Sequence, residues 1–203
     1  ATTVDTLFGQ VNGPALAGGA YMQALADKFH DAIKASALDR GASKVVVLNM
    51  PDITLTPRFQ AVLGAITQQA GAAQAQQAQA LIRQWIGAFN AQLASRVSGN
   101  TKVALVDFYA TLGDQVANPA KYGLSNPVDT ACPVVGVGGD GLPTYNFLTC
   151  TGTALSANPP GGLISGPNWW KTYLYSDSFH PTPYGHELLA DAVTAAVRAK
   201  NWD

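Results

Sequence analysis

Between residues 19 and 40 the apolar side chains of Tyr21, Met22, Leu25, Phe29, Ile33 and Ala37 recur at three- and four-residue intervals. That spacing predicts one face of an amphipathic helix, and Gly41 is a natural stop. The pattern then changes. Lys44-Val45-Val46-Val47-Leu48-Asn49-Met50 is a short β-branched run without polar alternation, which suits a parallel strand covered on both faces. Pro51 and Pro57 bracket a loop. An Ala/Gln-rich stretch follows from about residue 59 to residue 98. Its second half predicts a helix, with Ile82, Trp85, Ile86, Phe89, Leu93 and Val97 on one face. The first half, interrupted by Gly64 and Gly71, predicts a broken or weakly packed one. Ser98-Gly99-Asn100 ends the helix, and residues 102–108 read as a second buried strand. Residues 183–200 predict an Ala-rich closing helix with Leu188, Leu189, Ala192, Val193 and Val197 facing inward.

Helix, strand, helix, strand in alternation predicts an α/β layered domain with a parallel sheet. Residues 118–168 break the pattern, being rich in Gly, Pro, Ser and Thr. A loop region of that length inside a compact domain is usually functional, as a lid or binding loop. No internal repeat and no domain linker is visible.

With 203 residues, 47% of them hydrophobic and 12% charged, the chain is long and apolar enough for one ordinary core. The formal net charge is −1 and no Lys/Arg cluster stands out, which argues against a nucleic-acid partner. No apolar run approaches the roughly 20 residues of a membrane span. Cys132 and Cys150 flank a Gly/Pro-rich loop and read most easily as a disulfide, implying an oxidising compartment. Two buried free thiols remain the alternative.

The sharpest chemical feature is Tyr175-Ser176-Asp177-Ser178-Phe179-His180-Pro181-Thr182-Pro183, just before the closing helix. An Asp three residues ahead of a His can set carboxylate beside imidazole, fixing the tautomer. The other ring nitrogen is then free to take a proton from a serine hydroxyl. The spacing alone also fits a helix N-cap in which Asp177 and Thr182 satisfy backbone donors and His180 merely packs.

The block from Asp177 through Pro181-Thr182-Pro183-Tyr184-Gly185 to His186 resembles the last conserved block of the GDSL, or SGNH, hydrolases. Three earlier segments resemble the same family in the same order. They are residues 41–52 with the later Thr56-Pro57, then Val106-Asp107-Phe108-Tyr109, then Asn118-Pro119, Tyr122-Gly123-Leu124, Asn126 and Cys132. The resemblance covers most of the chain from about residue 19. It implies a three-layer α/β/α sandwich of the flavodoxin-like kind and a secreted or periplasmic serine esterase, lipase or phospholipase. It also implies a Ser-His-Asp triad in which His180 is the base and Asp177 orients it.

The family carries its nucleophile in a Gly-Asp-Ser motif and its oxyanion hole in a Gly-x-Asn-Asp motif, and this sequence contains neither. The expectation is therefore that residues 1–203 are the C-terminal portion of one domain, with the serine on an N-terminal segment of the same precursor. The chain alone would then be inactive. A carbohydrate-ester deacetylase on the same fold, or a non-catalytic binding domain, are the competing classes.

Other residues have milder readings. His186, beside Glu187, reads as a helix-surface histidine, and His30, near Asp27 and Asp31, as a solvated one. No ligand spacing for a metal and no cofactor motif appears. Asp107 reads as a carboxylate capping the turn after a strand. Residues 136–141 are rich in glycine but lack a following helix or Lys, so they read as a flexible surface loop. Asn168, Trp169 and Trp170 could line an acyl or alcohol pocket or anchor their loop on the core.

Overall fold

The computed structural model of the chain describes residues 15–160 and 166–202. Helix α1 (Ala15–Ser36) leads through a 3₁₀ turn (Leu38–Arg40) into strand β1 (Val45–Leu48). Helices α2 (Pro57–Ala70) and α3 (Ala72–Val97) follow, then β2 (Val103–Val106) and α4 (Phe108–Ala117). The second half holds β3 (Asn126–Thr130), β4 (Gly136–Val137), β5 (Pro143–Thr144), α5 (Gly152–Ala157), β6 (Tyr173–Tyr175) and α6 (Pro183–Ala199). The architecture is α/β.

Among the described residues the strands pair in three two-stranded units. β1 pairs parallel with β2, Val45 opposite Val103 through Leu48 opposite Val106. β3 pairs parallel with β6, with an irregularity between Asn126 and Thr130. β4 and β5 form a small antiparallel hairpin. A parallel pair needs a crossover, and α2 and α3 supply it between β1 and β2.

The main core joins Ala26 of α1, Val47, Phe89, Leu93, Val97 and Val103, so α1 and α3 cover one face of the β1–β2 pair. A second cluster joins Leu112, Leu124, Leu174 and Tyr175, with Leu188 of α6 packed against it. Burying each such Leu or Phe side chain stabilises the fold by about 1.5–3 kcal/mol.

Several expectations change. The predicted stripe of α1 faces inward only in part: Met22 and Ile33 pack against the main core, Tyr21, Leu25 and Phe29 are exposed, and Ala26 and His30 are buried. The helix approaches α3 closely. A Cβ on Gly18 would lie 2.3 Å from Nε1 of Trp85, so no side chain fits at that point of the contact. His30 is consequently not solvated; it sits beneath Arg96, whose Nη2 lies 3.2 Å from Nδ1, and beside Asp31. The Ala/Gln-rich stretch is two helices broken at Gly71, whose φ of 94° suits glycine. The first half is packed rather than loose, with Leu63 and Ile66 buried against Ala75. Inward positions of α6, such as Leu188 and Val193, are only half-buried.

The stretch from 118 to 168 is more ordered than its composition predicts, although residues 161–165 lie outside the described residues. Residues 136–141 are not a flexible loop but part of the β4–β5 hairpin, closed by Gly138 N–H donating to the Leu142 carbonyl at 2.8 Å. Asp140 of that hairpin pairs with Arg58 at 3.0 Å. Among the described residues no helix is long and apolar enough to cross a membrane.

Candidate functional site

The loop between β6 and α6 is pinned at both ends by the backbone. Thr182 N–H donates to the Leu174 carbonyl at 2.9 Å, and Ser176 N–H donates to the His180 carbonyl at 2.8 Å. Thr182 also caps α6, its hydroxyl oxygen accepting from Gly185 N–H at 3.0 Å, and Pro183 occupies the first turn, where a missing N–H is harmless. Gly185 is required by space. A Cβ there would meet the Leu174 carbonyl oxygen at 2.7 Å.

Within this frame Asp177 and His180 meet. The Asp177 side chain is 5% exposed, and the His180 side chain is 70% exposed. One carboxylate oxygen accepts from the backbone N–H groups of Phe179 and His180, at 2.7 and 2.8 Å. The other lies 2.8 Å from His180 Nδ1. Two backbone bonds fix the orientation of the carboxylate, and with its second oxygen facing Nδ1 the neutral ring carries its proton on Nδ1 and leaves Nε2 as the acceptor. Nε2 has no hydrogen-bond partner among the described residues. The Phe179 ring stands edge-on to the imidazole, with centroids 5.8 Å apart. An oriented, solvent-facing imidazole backed by a buried carboxylate can withdraw a proton from an alcohol and return it to a leaving group.

His180 and Asp177 line a cleft of about 520 Å³ together with Cys132, Cys150, Phe147 and Trp170. The two cysteines are bridged, with Cα atoms 5.5 Å apart, and the bridge forms part of the cleft wall. On the other side of the His180 loop a depression of about 500 Å³ is lined by Arg58, Tyr145, Phe147 and Phe179.

The aromatic pair divides. Trp169 is buried, donates its indole N–H to the Leu155 carbonyl at 2.7 Å and stacks edge-on against Tyr173. It does not line the His180 cleft. Trp170 does, donating Nε1–H to Ser156 Oγ at 3.1 Å. Asn168 is exposed and lines neither depression beside His180. Asp107 caps α4, accepting from Ala110 N–H at 3.1 Å and from Asn49 Nδ2 at 2.9 Å. His186 lies exposed on α6, away from both depressions. No group of three metal-ligating side chains occurs among the described residues.

Sequence reasoning missed two features. Asp52 is buried, pairs with Arg83 at 2.8 Å and accepts from the Thr54 N–H and hydroxyl, organising the loop after β1. Burial and the nearby Asp52 charge push the Tyr175 phenol well above its ordinary range. Phe147, exposed and flanking His180 on both sides, was equally unforeseen. Asp-x-Thr after a strand is a readable turn signal for the first; no local pattern marks the second.

Three curated proteins resemble the chain. Lipase 1 of Photorhabdus luminescens is 25% identical over 187 residues, covering 82% of this chain and 26% of that protein. Esterase EstA of Pseudomonas aeruginosa is 27% identical over 164 residues, covering 80% of this chain and 21% of that protein. Esterase EstA of Pseudomonas putida matches to the same extent. The chain thus spans between a fifth and about a quarter of the length of these relatives. The family model for GDSL-like lipase/acylhydrolase matches residues 17–193, most of the chain and all of the loop that carries Asp177 and His180, and the chain belongs to that family.

Proposed function

We propose that the chain supplies the acid–base half of a Ser-His-Asp carboxylic ester hydrolase of the esterase, lipase or phospholipase type. In this reading His180 Nε2 takes the proton of a serine hydroxyl as its oxygen attacks the ester carbonyl. The imidazolium then protonates the departing alcohol, leaving an acyl-enzyme. Water attacks in turn, gives its proton to His180 and releases the acid, and the serine recovers the proton. Asp177 holds the ring and stabilises its cationic form. The observation that carries the reading is the contrast within one pair: a carboxylate closed off from water and an imidazole open to a cleft.

The serine is assigned to polypeptide outside this sequence, on an N-terminal segment of the same precursor. Two facts support that: no Gly-Asp-Ser occurs here, and Ser176 and Ser178 flank the His180 loop without an elbow that would expose them. Ser178 is buried, and the Ser176 hydroxyl donates to the Pro181 carbonyl. On this view residues 1–203 are the C-terminal portion of a single hydrolase domain, inactive by themselves. The Cys132–Cys150 bridge supports a secreted or periplasmic location.

A fluorophosphonate probe applied to the full-length protein tests this reading. Labelling of a serine outside residues 1–203, abolished or slowed by several orders of magnitude in His180→Ala, is the expected result. A loss below about tenfold would remove His180 from the role of base. No labelling of any chain would favour a binding domain.

A further inference from the structure

The depression of about 500 Å³ beside the His180 loop is walled by four rings, those of Phe59, Tyr145, Phe147 and Phe179. They come from three separate stretches of chain. Phe59 lies in the first turn of α2, Tyr145 and Phe147 follow β5, and Phe179 belongs to the turn between Asp177 and His180. Arg58 ties these stretches together. Its backbone N–H donates to the Ser178 carbonyl at 2.8 Å and its guanidinium to the Asp140 carboxylate at 3.0 Å, so the walls are braced before a ligand arrives. Phe147 is 64% and Phe179 46% exposed. Exposed apolar side chains are ordinary singly, but a gathered set beside a reactive group marks a ligand surface.

The lining decides among ligands. A cation would gain from the ring faces but meets the Arg58 guanidinium in the same wall. An anion finds Arg58 already paired with Asp140, and meets the Asp177 carboxylate as well. A sugar needs several polar partners to replace its water, whereas the four rings and Pro143 make up most of this wall. A saturated chain gains burial and nothing more. An aromatic ring gains burial together with edge-to-face or offset contact with its neighbours, and its π face also attracts a guanidinium. It alone is favoured by the rings and by Arg58 alike.

We propose that this depression binds an aromatic ring carried by the ester substrate. The ester group lies at His180, which lines the depression, and the ring packs among Phe59, Tyr145, Phe147 and Phe179. The inference rests on the ester-hydrolase reading and names its substrate class as esters with an aromatic ring close to the ester group. The ring is recognised in the same way whether the alcohol or the acyl part carries it. Phe59 and Tyr145 are then specificity-determining residues, because they line this depression and not the cystine-walled cleft.

Rates on the full-length protein test the proposal. Benzyl acetate is compared with cyclohexylmethyl acetate, whose alcohol has nearly the same size and acidity but no π system. Ethyl phenylacetate and ethyl cyclohexylacetate make the same comparison on the acyl side. In one of the two pairs the aromatic ester is expected to have the higher kcat/KM, by at least about threefold, and that pair identifies the part that carries the ring. Tyr145→Leu and Phe59→Leu, each of normal Tm, are expected to lower that preference at least about twofold, with kcat/KM for the saturated ester changed by less than about twofold. Equal rates within both pairs overturn the aromatic site, as does a preference that both variants keep. Faster cleavage of an acetylated methyl xyloside than of either aromatic ester overturns it in favour of a sugar. Hydrolysis of ethyl acetate without any aromatic preference sinks this inference and leaves the hydrolase standing. Benzyl alcohol that shifts the Tyr145 ring resonances, in a protein that cleaves no ester, supports the site and sinks the hydrolase.

Discussion

The backbone N–H of Arg58, in the first turn of α2, donates a 2.8 Å hydrogen bond to the carbonyl of Ser178, in the middle of the turn that joins Asp177 to His180. The helix after β1 thereby braces the loop after β6, which its own strand anchors only at the ends. The Arg58 guanidinium separately reaches Asp140 in the β4–β5 hairpin at 3.0 Å.

The two contacts can be separated. Arg58→Ala keeps the amide and loses only an exposed ion pair, so it should change stability by less than about 1 kcal/mol. Arg58→Pro removes the donor and also disfavours the helical conformation of Pro57 before it, so it should cost at least about 0.5–1.5 kcal/mol more. It should also lower ester turnover more than Arg58→Ala does. Chemical denaturation and esterase kinetics of the two variants check this; identical behaviour would mean that the brace is idle.

Asp177→Asn tests the orienting role. The amide can still occupy the site but presents a donor where Nδ1–H needs an acceptor, and the ring is driven to the wrong tautomer. On the proposed mechanism kcat should fall by about four orders of magnitude, with KM little changed. A loss confined to KM would instead point to substrate binding.

Reduction of the Cys132–Cys150 bridge should act on both stability and the cleft. The bridge closes a loop of sequence separation 18, for which loop-closure entropy gives about 3 kcal/mol. Cys132→Ser with Cys150→Ser should therefore lower the denaturation free energy by about that amount. Because the bridge is also a cleft wall, activity on acyl esters should fall at denaturant concentrations where the fold persists. Equal denaturation midpoints with and without reductant would contradict the first expectation.

Asp114 gives a pH dependence of known sign. Hydrogen bonds from Lys121 first, then Tyr122 and Asn118, hold its carboxyl down from 3.8 to about 2. A group depressed in the folded state contributes stability that is present above its ordinary value and lost as pH falls towards the folded one. Tm should drop between pH 3.8 and about 2, and Asp114→Asn should flatten that part of the profile. The cluster is at the surface, so raised salt should shrink the effect.

How much of this was readable beforehand varied with the range of the interaction. Strand β1 was legible because four consecutive β-branched or aliphatic residues admit few other solutions, and the Asp177–His180 pair because its members stand three positions apart. The buried face of α1 was legible only in part, through Met22 and Ile33. Periodicity weighs large apolar side chains, yet Ala26 joins Val47, Phe89 and Leu93 in the core while Tyr21 and Phe29 stay out. His30 followed Ala26 inward, which Arg96 from a distant helix makes tolerable. The cavities were invisible for the same reason. Phe147, Leu155 and Trp170 are neighbours only once the cystine and the Trp169–Leu155 bond have folded the irregular stretch back on itself.

The closeness of Asp177 and His180 along the chain has a further consequence. A pair that completes its geometry inside one short turn owes nothing to the timing or location of the alcohol it serves. The ring is aimed before any reaction partner arrives, and stays aimed after it leaves. Which hydroxyl is ionised, and on which face of an ester it lands, is therefore decided by the polypeptide that delivers the hydroxyl; the imidazole behaves as a fixed proton port at which different nucleophiles could call.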